Sequence, residues 1–358
     1  MLEARAAVQK LQSYHPPLAG RHGLRLDFNE NTVGCSPRVL ARMRTLDAEA
    51  LARYPDREPV EREVARFLGL DAAQLLLTNG VDEAIHLLCS TYVEVGDEAL
   101  IIVPTFAMYS LFAQAEGAQV IEVRSGTDFV FPTAELLAKI SPLTRLIAVA
   151  NPNNPTGATV SEEILLQIAE AAPHAALLVD EAYFEFHGET LLTRPTRPSN
   201  IFVARTFSKA YGLAGLRIGV IVGEAQQMAM VRRVASPYNV NAVALAVLPE
   251  ALQDTDYVEH YADQVRRNRN MLEQELSTLG LDYWPSRGNF VLVRVGPAHK
   301  EFVQSMRNRR ILVRNRDSDP GCEGAVRLTV GSDAHTKTLI AALRSVVEDL
   351  DLRREVRA

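Results

Sequence analysis

Lysine is scarce in this chain, and one lysine has unusual neighbours. Only five of the 38 basic residues are lysine, so arginine is used wherever a permanent positive charge is sufficient. Lys209 follows an apolar run at 201–204 and has hydroxyl, small and aromatic neighbours, with glycines after it and no carboxylate close by. A lysine amine can lose its proton and attack a carbonyl, so Lys209 is a candidate nucleophile. The alternative is a glycine-rich turn with an incidental lysine.

The segment after an apolar run at 75–77 has the residues of an anion-binding turn. Gly80 permits a tight turn, and the backbone amides of Val81 and Asp82 would then lie at the start of a helix. An ordinary strand-to-helix turn with Asp82 near the cap explains the same residues. This segment alone therefore does not decide between the two.

Two further polar segments also follow apolar runs. Asn154 lies in the loop 151–157, which two prolines stiffen, and Asp180 ends a run with Tyr183 one helical turn later. An acid in this place also occurs in nucleotide hydrolases, but the chain lacks the phosphate-binding motif G-x-x-x-x-G-K-[ST]. The glycines at 212–219 do not match the dinucleotide motif G-x-G-x-x-G either. Both nucleotide-binding classes are therefore disfavoured.

The elements that must position these segments follow from the hydrophobic pattern. Predicted strands lie at 75–77, 99–103, 120–123, 146–150, 176–179, 201–204, 290–295, 311–313 and 326–330. Predicted helices lie near 82–93, 108–115, 161–171, 225–234, 241–252, 256–279, 298–308 and 333–350. The alternation predicts an α/β fold with a mostly parallel sheet and a second, smaller unit after the long helix. Ligands bind beyond the carboxyl ends of such strands, where the polar segments are.

Composition limits the class of protein. The 358 residues carry a net charge of −6, which offers no basic surface for nucleic acid or anionic membrane. The longest apolar stretch, 242–248, is far shorter than the roughly 20 residues of a membrane span. The three cysteines are far apart and fit no disulfide or metal motif. We therefore expect a cytoplasmic protein with no metal, no nucleic-acid partner and no membrane partner.

Three motifs in fixed order now point to a family. N-N-P-T-G at 153–157, D-E-A-Y at 180–183 and T-F-S-K-A-Y-G-L-A-G-L-R-I-G at 206–219 resemble the pyridoxal-phosphate aminotransferases of classes I and II. The resemblance implies fold-type I: a large domain whose mainly parallel, seven-stranded-type sheet lies between helices, plus a smaller α/β domain. The implied division is 1–45 for an N-terminal arm and part of the small domain, 46–252 for the large cofactor domain, and 253–358 for the small C-terminal domain.

The same resemblance implies roles for the site residues, with pyridoxal 5'-phosphate as cofactor. Lys209 would attach the cofactor covalently and later carry a proton between substrate and cofactor. Asp180 would pair with the ring nitrogen, and Asn154 and Tyr183 would hydrogen-bond the phenolic oxygen. The remaining cofactor contacts implied are the phosphate-binding turn at Gly80, Val81 and Asp82, the side chains of Thr206, Ser208 and Arg217, and a stacking ring at Phe106.

Other segments resemble the histidinol-phosphate aminotransferase subfamily. These are L-D-F-N-E-N at 26–31, R-Y-P-D at 53–56, and an arginine at 314 followed by V-R-L-T-V-G at 326–331. The implied reaction converts L-histidinol phosphate and 2-oxoglutarate to imidazole-acetol phosphate and glutamate, in histidine biosynthesis. The implied substrate contacts are Tyr14, Asn29, Arg314 and Arg327. The two arginines and Tyr14 would hold the substrate phosphate, and Arg327 would also bind the carboxylate of glutamate. Tyr54 would reach the cofactor phosphate of a second subunit, which implies a homodimer.

Some residues depart from the subfamily pattern. Thr32-Val33-Gly34 follows N-E-N, Val81 replaces a smaller residue, and Phe106 replaces the commoner tyrosine. Two other activities of the same fold remain open, an aromatic amino acid aminotransferase and a threonine-phosphate decarboxylase. A non-catalytic α/β binding protein or regulator domain is disfavoured, because every cofactor residue is present.

Overall fold

The computed structural model describes residues 2–13, 15, 17–18, 20–126, 128–194 and 196–352. The strands in this part of the chain are β1 (Leu24–Arg25), β2 (Leu75–Thr78), β3 (Glu98–Val103), β4 (Gln119–Arg124), β5 (Thr144–Ala150), β6 (Ala176–Asp180), β7 (Ile201–Thr206), β8 (Gly219–Val222), β9 (Asp282–Trp284), β10 (Phe290–Arg294), β11 (Ile311–Leu312), β12 (Arg314–Asn315) and β13 (Ala325–Thr329).

The helices of the same residues alternate with these strands and cover them. They are α1 (Ala6–Gln9), α2 (Pro37–Arg44), α3 (Ala48–Ala52), α4 (Glu58–Leu68), α5 (Gly80–Tyr92), α6 (Met108–Glu116), α7 (Thr133–Lys139), α8 (Glu162–Ala171), α9 (Phe184–His187), α10 (Ala225–Val234), α11 (Ala242–Gln253), α12 (Thr255–Leu279), α13 (His299–Asn308) and α14 (Asp333–Asp349). None of the helices described is both long and apolar enough to cross a membrane.

A seven-stranded sheet forms the centre of the molecule. Its strand order is β2-β8-β7-β6-β5-β3-β4. Only β8 runs antiparallel to its neighbours, and the other pairs are parallel. The inner strands β6 and β7 are buried along their whole length, because helices cover both faces of the sheet. Parallel pairing brings the carboxyl ends of β5, β6 and β7 to one edge.

Two smaller sheets lie near the chain ends. An antiparallel sheet has the order β12-β13-β10-β9, and β1 pairs in parallel with β11. Leu24 and Arg25 therefore align with Ile311 and Leu312, which joins the beginning of the chain to its last third. That the arm contributes to the smaller unit stays a prediction.

The sequence patterns located most of these elements. The mainly parallel, seven-stranded α/β sheet is confirmed, and each predicted strand and helix overlaps an element of the structure. The patterns did not predict the helices α1, α2, α3, α4, α7 and α9 or the short strands β1, β8, β9 and β12. The division at residues 45 and 252 stays a prediction, although α11 ends at Gln253 and the long α12 begins at Thr255.

The outer edge of the central sheet is protected by a buried carboxylate. Glu61 of α4 is 2% exposed and accepts a hydrogen bond from the Leu77 backbone N–H of the edge strand β2 at 3.0 Å. Arg57 and Arg232 each lie within ion-pair distance of the same carboxylate, at 3.2 Å and 3.0 Å. An edge strand that keeps its N–H groups satisfied is not available for pairing with another chain.

We expect Glu61→Ala to destabilise the fold by about 3 kcal/mol, because it leaves a buried N–H without its acceptor and removes the carboxylate that pairs with two arginines. The free energy of unfolding from urea titration measures this. Glu58→Ala on the same helix is the matched control, since Glu58 is exposed and its pair with Arg62 spans 3.7 Å; its loss should stay below about 1 kcal/mol. Equal losses in the two variants would contradict the role of Glu61.

Candidate active site

A cavity of about 440 Å³ opens where the carboxyl ends of the parallel strands meet the small antiparallel sheet. Its floor comes from the loops after β5, β6 and β7, which carry Asn154, Asp180 and Lys209. The wall opposite comes from β12, β13 and the segment after β1. This placement is the one expected of a ligand site in an open α/β sheet.

Lys209 has the environment of a reactive amine. Its Nζ donates a hydrogen bond to the Phe28 carbonyl at 3.1 Å and lies 6.0 Å from the centre of the Tyr183 ring. Burial, and then the positive charge of Arg327, lower the pKa of Lys209 from 10.5 to about 8. A substantial fraction of the amine is therefore unprotonated and nucleophilic just above neutral pH.

Asp180 is a buried carboxylate at the last position of β6. It is 5% exposed, and its Oδ2 accepts a hydrogen bond from the Tyr109 hydroxyl at 2.5 Å while its Oδ1 accepts one from the Ala182 N–H at 3.0 Å. Burial raises the pKa of Asp180 to about 6, and these two hydrogen bonds oppose the rise. At neutral pH the group is therefore an anion in a sheltered place, where a cationic partner gains most.

A hydrogen-bonded network joins the two walls of the cavity. Asn29 donates to the Tyr183 hydroxyl at 2.9 Å, and Arg327 donates to the Asp27 carbonyl at 2.6 Å and to the side-chain oxygen of Asn154. Burial raises the pKa of Tyr183 and lowers the pKa of Arg327 to about 9. Tyr183 therefore stays a neutral phenol and Arg327 a cation at neutral pH.

An anion cradle lies at the start of α5. The helix begins at Gly80, where φ is +73°, so the N–H groups of its first turn have no intrahelical acceptor. A side chain at Gly80 would place its Cβ 2.5 Å from Nη2 of Arg217, so only glycine lets this arginine approach. Arg217 donates to the Asp82 carboxylate at 3.0 Å.

Two hydroxyls complete this end of the cavity. Thr206, at the end of β7, donates to the Ser208 hydroxyl at 2.9 Å, and its own oxygen accepts from the Ser208 N–H at 3.1 Å. Phe106 lines the cavity above them, edge-on to Tyr109 at 5.8 Å between ring centres. The arrangement offers backbone and hydroxyl donors to a compact anion and an aromatic face to a planar ring.

The structure brings together most of the site residues predicted from the sequence. Those that line the cavity are Asn29, Val81, Asp82, Phe106, Asn154, Asp180, Tyr183, Thr206, Ser208, Lys209, Arg217, Arg314 and Arg327. Gly80 lies directly behind Arg217. Tyr54 lies elsewhere on the surface, 80% exposed and stacked on Tyr238 at 4.4 Å, so its expected contact with a second subunit stays a prediction. Tyr14 lies outside the described residues.

The cavity residues that the sequence did not identify include Tyr109, Arg21, Arg316 and Asp319. Tyr109 falls three residues after Phe106 in a helical pattern, and Arg316 falls two residues after Arg314 in an extended one. Each spacing places the two side chains on one face. These periodicities were the available signal for Tyr109 and Arg316.

Comparison with known proteins agrees with this geometry. The family model described as aminotransferase class I and II matches residues 21–343. A histidinol-phosphate aminotransferase of Nostoc sp. is 32% identical over 353 residues, covering 97% of this chain and 99% of that protein. A second, from Caldanaerobacter subterraneus subsp. tengcongensis, is 37% identical over 303 residues, covering 82% and 84%.

Solved structures show the same fold. The histidinol-phosphate aminotransferase of Sinorhizobium meliloti in complex with pyridoxal-5'-phosphate has a TM-score of 0.88 and 25% identity, covering 98% of this chain and 99% of that one. An aspartate aminotransferase of Thermus thermophilus, at 22% identity and a TM-score of 0.81, shares the fold over 97% of this chain and 100% of that one. The chain therefore belongs to the class I and II aminotransferase family and is an enzyme that acts on small-molecule substrates.

Proposed function

We propose that this enzyme uses pyridoxal 5'-phosphate to transaminate L-histidinol phosphate with 2-oxoglutarate, in histidine biosynthesis. One observation carries the proposal: a single cavity holds a buried lysine and aspartate at one end and two arginines, Arg314 and Arg327, at the other. The first pair suits the cofactor, and the second suits a substrate with an anionic end. The names of the relatives at 32% and 37% identity support the same substrate.

The residues present fit the cofactor. Among the described residues, Asp180 has hydrogen-bond donors but no positively charged side chain in contact, so a protonated ring nitrogen would be its counter-ion. Asn154 and Tyr183 would bind the phenolic oxygen. The phosphate would lie in the cradle built from the remaining donors, Val81, Asp82, Thr206, Ser208 and Arg217, with Phe106 against the ring. When bound, pyridoxal phosphate supplies an electron-accepting ring that stabilises negative charge at the substrate carbon.

Lys209 would act twice. Its neutral amine would hold the cofactor. When not so engaged, the same Nζ would take the proton from the substrate carbon and give it back later in the reaction. The hydrogen bond from Nζ to the Phe28 carbonyl fixes where the amine rests. Asp180 would stay ionised and would keep the ring nitrogen protonated by its negative charge.

The arginines and the arm would select the substrate. Arg327 would bind the carboxylate of glutamate or 2-oxoglutarate, since a guanidinium and a carboxylate match in a bidentate pair. Arg314 and Arg327, together with Tyr14, would bind the substrate phosphate, and Asn29 would orient Tyr183 beside the substrate. The arginines would thus bind the anionic group of either substrate in turn.

We further propose a homodimer in which Tyr54 reaches the partner's cofactor phosphate. The exposure of Tyr54 and Tyr238, 80% and 55%, supports a surface that another subunit covers. We also propose three parts of the chain: residues 1–45 form an arm and part of the small domain, residues 46–252 form the large domain, and residues 253–358 form the small domain. A cytoplasmic location agrees with the three free cysteines, two of them buried.

Replacing the amine tests the role of Lys209. In the protein loaded with pyridoxal phosphate, borohydride should fix the cofactor on the peptide that contains Lys209, as mass spectrometry of a digest would show. Lys209→Ala should be colourless and lose roughly 10⁴-fold in activity. Lys139→Ala is the matched control, because Lys139 is a surface residue paired with Glu135 at 2.7 Å. An equal yield of fixed cofactor in Lys209→Ala would refute the assignment.

The lowered pKa of Lys209 predicts how cofactor attachment depends on pH. In cofactor-free protein the rate of covalent attachment should rise with pH and level off above about 8, because the amine is then unprotonated. Visible absorbance after mixing with pyridoxal phosphate measures the rate. A midpoint near 10.5, the value of an ordinary lysine, would mean that burial does not activate this amine.

The amino donor decides between the activities that remain open. Histidinol phosphate should exceed phenylalanine in kcat/KM, with one glutamate formed per 2-oxoglutarate consumed. Arg314→Gln should lower kcat/KM for histidinol phosphate about ten- to hundredfold, as expected for a lost hydrogen bond to a charged group, and leave phenylalanine nearly unchanged. A preference for phenylalanine would favour the aromatic aminotransferase, and release of carbon dioxide without glutamate would favour the decarboxylase.

A further inference from the structure

A left-handed turn at Asn29 carries two of the groups that face the cavity. Asn29 is 1% exposed and has a φ of +54°, a conformation that asparagine adopts more readily than most residues. The Phe28 carbonyl just before the turn accepts the hydrogen bond from Lys209, and the Asn29 side chain donates to the Tyr183 hydroxyl. The groups that hold this turn therefore affect two side chains of the site.

Thr329, the last residue of β13, holds the turn with its hydroxyl group. The hydroxyl oxygen accepts a hydrogen bond from the Asn29 backbone N–H at 3.1 Å, and the hydroxyl donates to the Asn29 side-chain oxygen at 3.1 Å. Asn289 donates to the Asn29 carbonyl at 3.1 Å. Thr329 is 0% exposed and does not line the cavity, so it acts on a bound ligand only through its neighbours.

The donors and acceptors of these groups fix the direction of each hydrogen. The Asn29 side-chain oxygen can only accept, so the Thr329 hydroxyl donates its hydrogen there. That bond orients the amide so that its NH₂ group faces the Tyr183 oxygen and donates to it at 2.9 Å. Tyr183 is therefore an acceptor towards Asn29, and its own hydrogen is free to be donated into the cavity.

The hydrogen bond from Asn29 also makes Tyr183 a better donor. Burial raises the pKa of Tyr183, whereas the charge of Arg327 and the hydrogen bond from Asn29 lower it. A phenol whose oxygen already accepts a hydrogen bond donates its own hydrogen more strongly, because bonds in a chain polarise one another. The charged groups that face this phenol are Asp180, Lys209, Arg316 and Arg327. A change at Thr329 removes none of these charges.

We propose that Thr329 is a positioning residue that acts through Asn29 to aim the Tyr183 hydroxyl, as a donor, at the phenolic oxygen of bound pyridoxal phosphate. Without the Thr329 hydroxyl, nothing fixes which end of the Asn29 amide faces Tyr183. An amide that presents its oxygen takes the hydrogen of Tyr183 for itself, and the cofactor loses a donor. The inference rests on the proposed function, because it requires the cofactor to bind against Tyr183.

The test is a pH titration of the visible absorbance of the bound cofactor, in the loaded enzyme without substrate. A donor to the phenolic oxygen favours the form of the cofactor that has lost its exchangeable proton, because that form carries more negative charge on the oxygen. Thr329→Val removes the hydroxyl and keeps the shape of the side chain, so it should raise the midpoint by about one pH unit. Thr329→Ser keeps the hydroxyl and should leave the midpoint nearly unchanged.

A double variant shows whether the effect passes through the phenol. Tyr183→Phe should raise the midpoint at least as far as Thr329→Val, and adding Thr329→Val to Tyr183→Phe should cause no further shift. Two independent effects would add. If Thr329→Val does not fold, Asn29→Gly takes its place, because glycine adopts the left-handed turn and removes the amide. Its shift should likewise disappear in the Tyr183→Phe background.

Thr336→Val is the matched control. Thr336 of α14 is 1% exposed, and its hydroxyl donates to the Gly331 carbonyl at 3.4 Å, but it does not line the cavity. The variant loses a buried threonine hydroxyl in the same way and should titrate like the unaltered enzyme. An equal shift in Thr336→Val and Thr329→Val would overturn the inference, because it would come from loosened packing.

The outcomes separate this inference from the proposed function. A shift in Thr329→Val that disappears in the Tyr183→Phe background supports the inference. An unchanged midpoint in Thr329→Val, or an equal shift with and without the Tyr183 hydroxyl, overturns the role of Thr329 alone. If Tyr183→Phe itself does not move the midpoint, the proposed role of Tyr183 fails and the inference fails with it. A preference for another amino donor overturns only the proposed substrate, since the titration contains none.

Discussion

The buried negative charge of Asp180 is the constraint on which the rest of the site depends. A carboxylate taken out of water is costly, and among the described residues a phenol and one backbone N–H offset that cost. The fold accepts it because Asp180 ends a central strand, where the neighbouring strands on both sides keep water away. An opposite charge 4 Å away is worth about 4 kcal/mol at an effective dielectric of 20, against about 1 kcal/mol in water. The shelter is therefore what makes Asp180 an effective partner for a cation.

The same geometry sets the order of charges along the cavity. Parallel strands deliver Asp180 and Lys209 to one edge, while the antiparallel sheet brings arginines to the facing wall. At each end an arginine is oriented by an aspartate of the chain, Arg217 by Asp82 and Arg316 by Asp319. A guanidinium fixed in this way presents its remaining N–H groups in set directions, so the site is organised for anions at both ends.

The sequence predicted the site residues that directly follow a strand. It did not predict those whose position depends on packing between distant parts of the chain. Asp180 and Lys209 could be placed because apolar runs precede them and carboxyl ends of parallel strands converge. For Tyr109 the sequence offered only its helical spacing from Phe106, which says nothing of Asp180; the fold brings the Tyr109 hydroxyl to that carboxylate. The short β8 was missed because an antiparallel strand inside a parallel sheet has no distinct pattern. The predicted contact of Tyr54 is with a second subunit, and the burial of residues within one chain does not show where a second subunit binds.

The division of labour between lysine and arginine follows from how burial acts on each. In the same cavity burial is the largest effect on both Lys209 and Arg327, lowering the pKa from 10.5 to about 8 in one and from 12.5 to about 9 in the other. Part of the lysine is therefore an uncharged amine near physiological pH, whereas the arginine remains a cation. One environment thus leaves the lysine closer to losing its proton than the arginine that shares the cavity. This is why arginine, abundant everywhere else in the chain, could not take the place of Lys209, and why lysine at 327 would put the permanent charge of the anion site at risk.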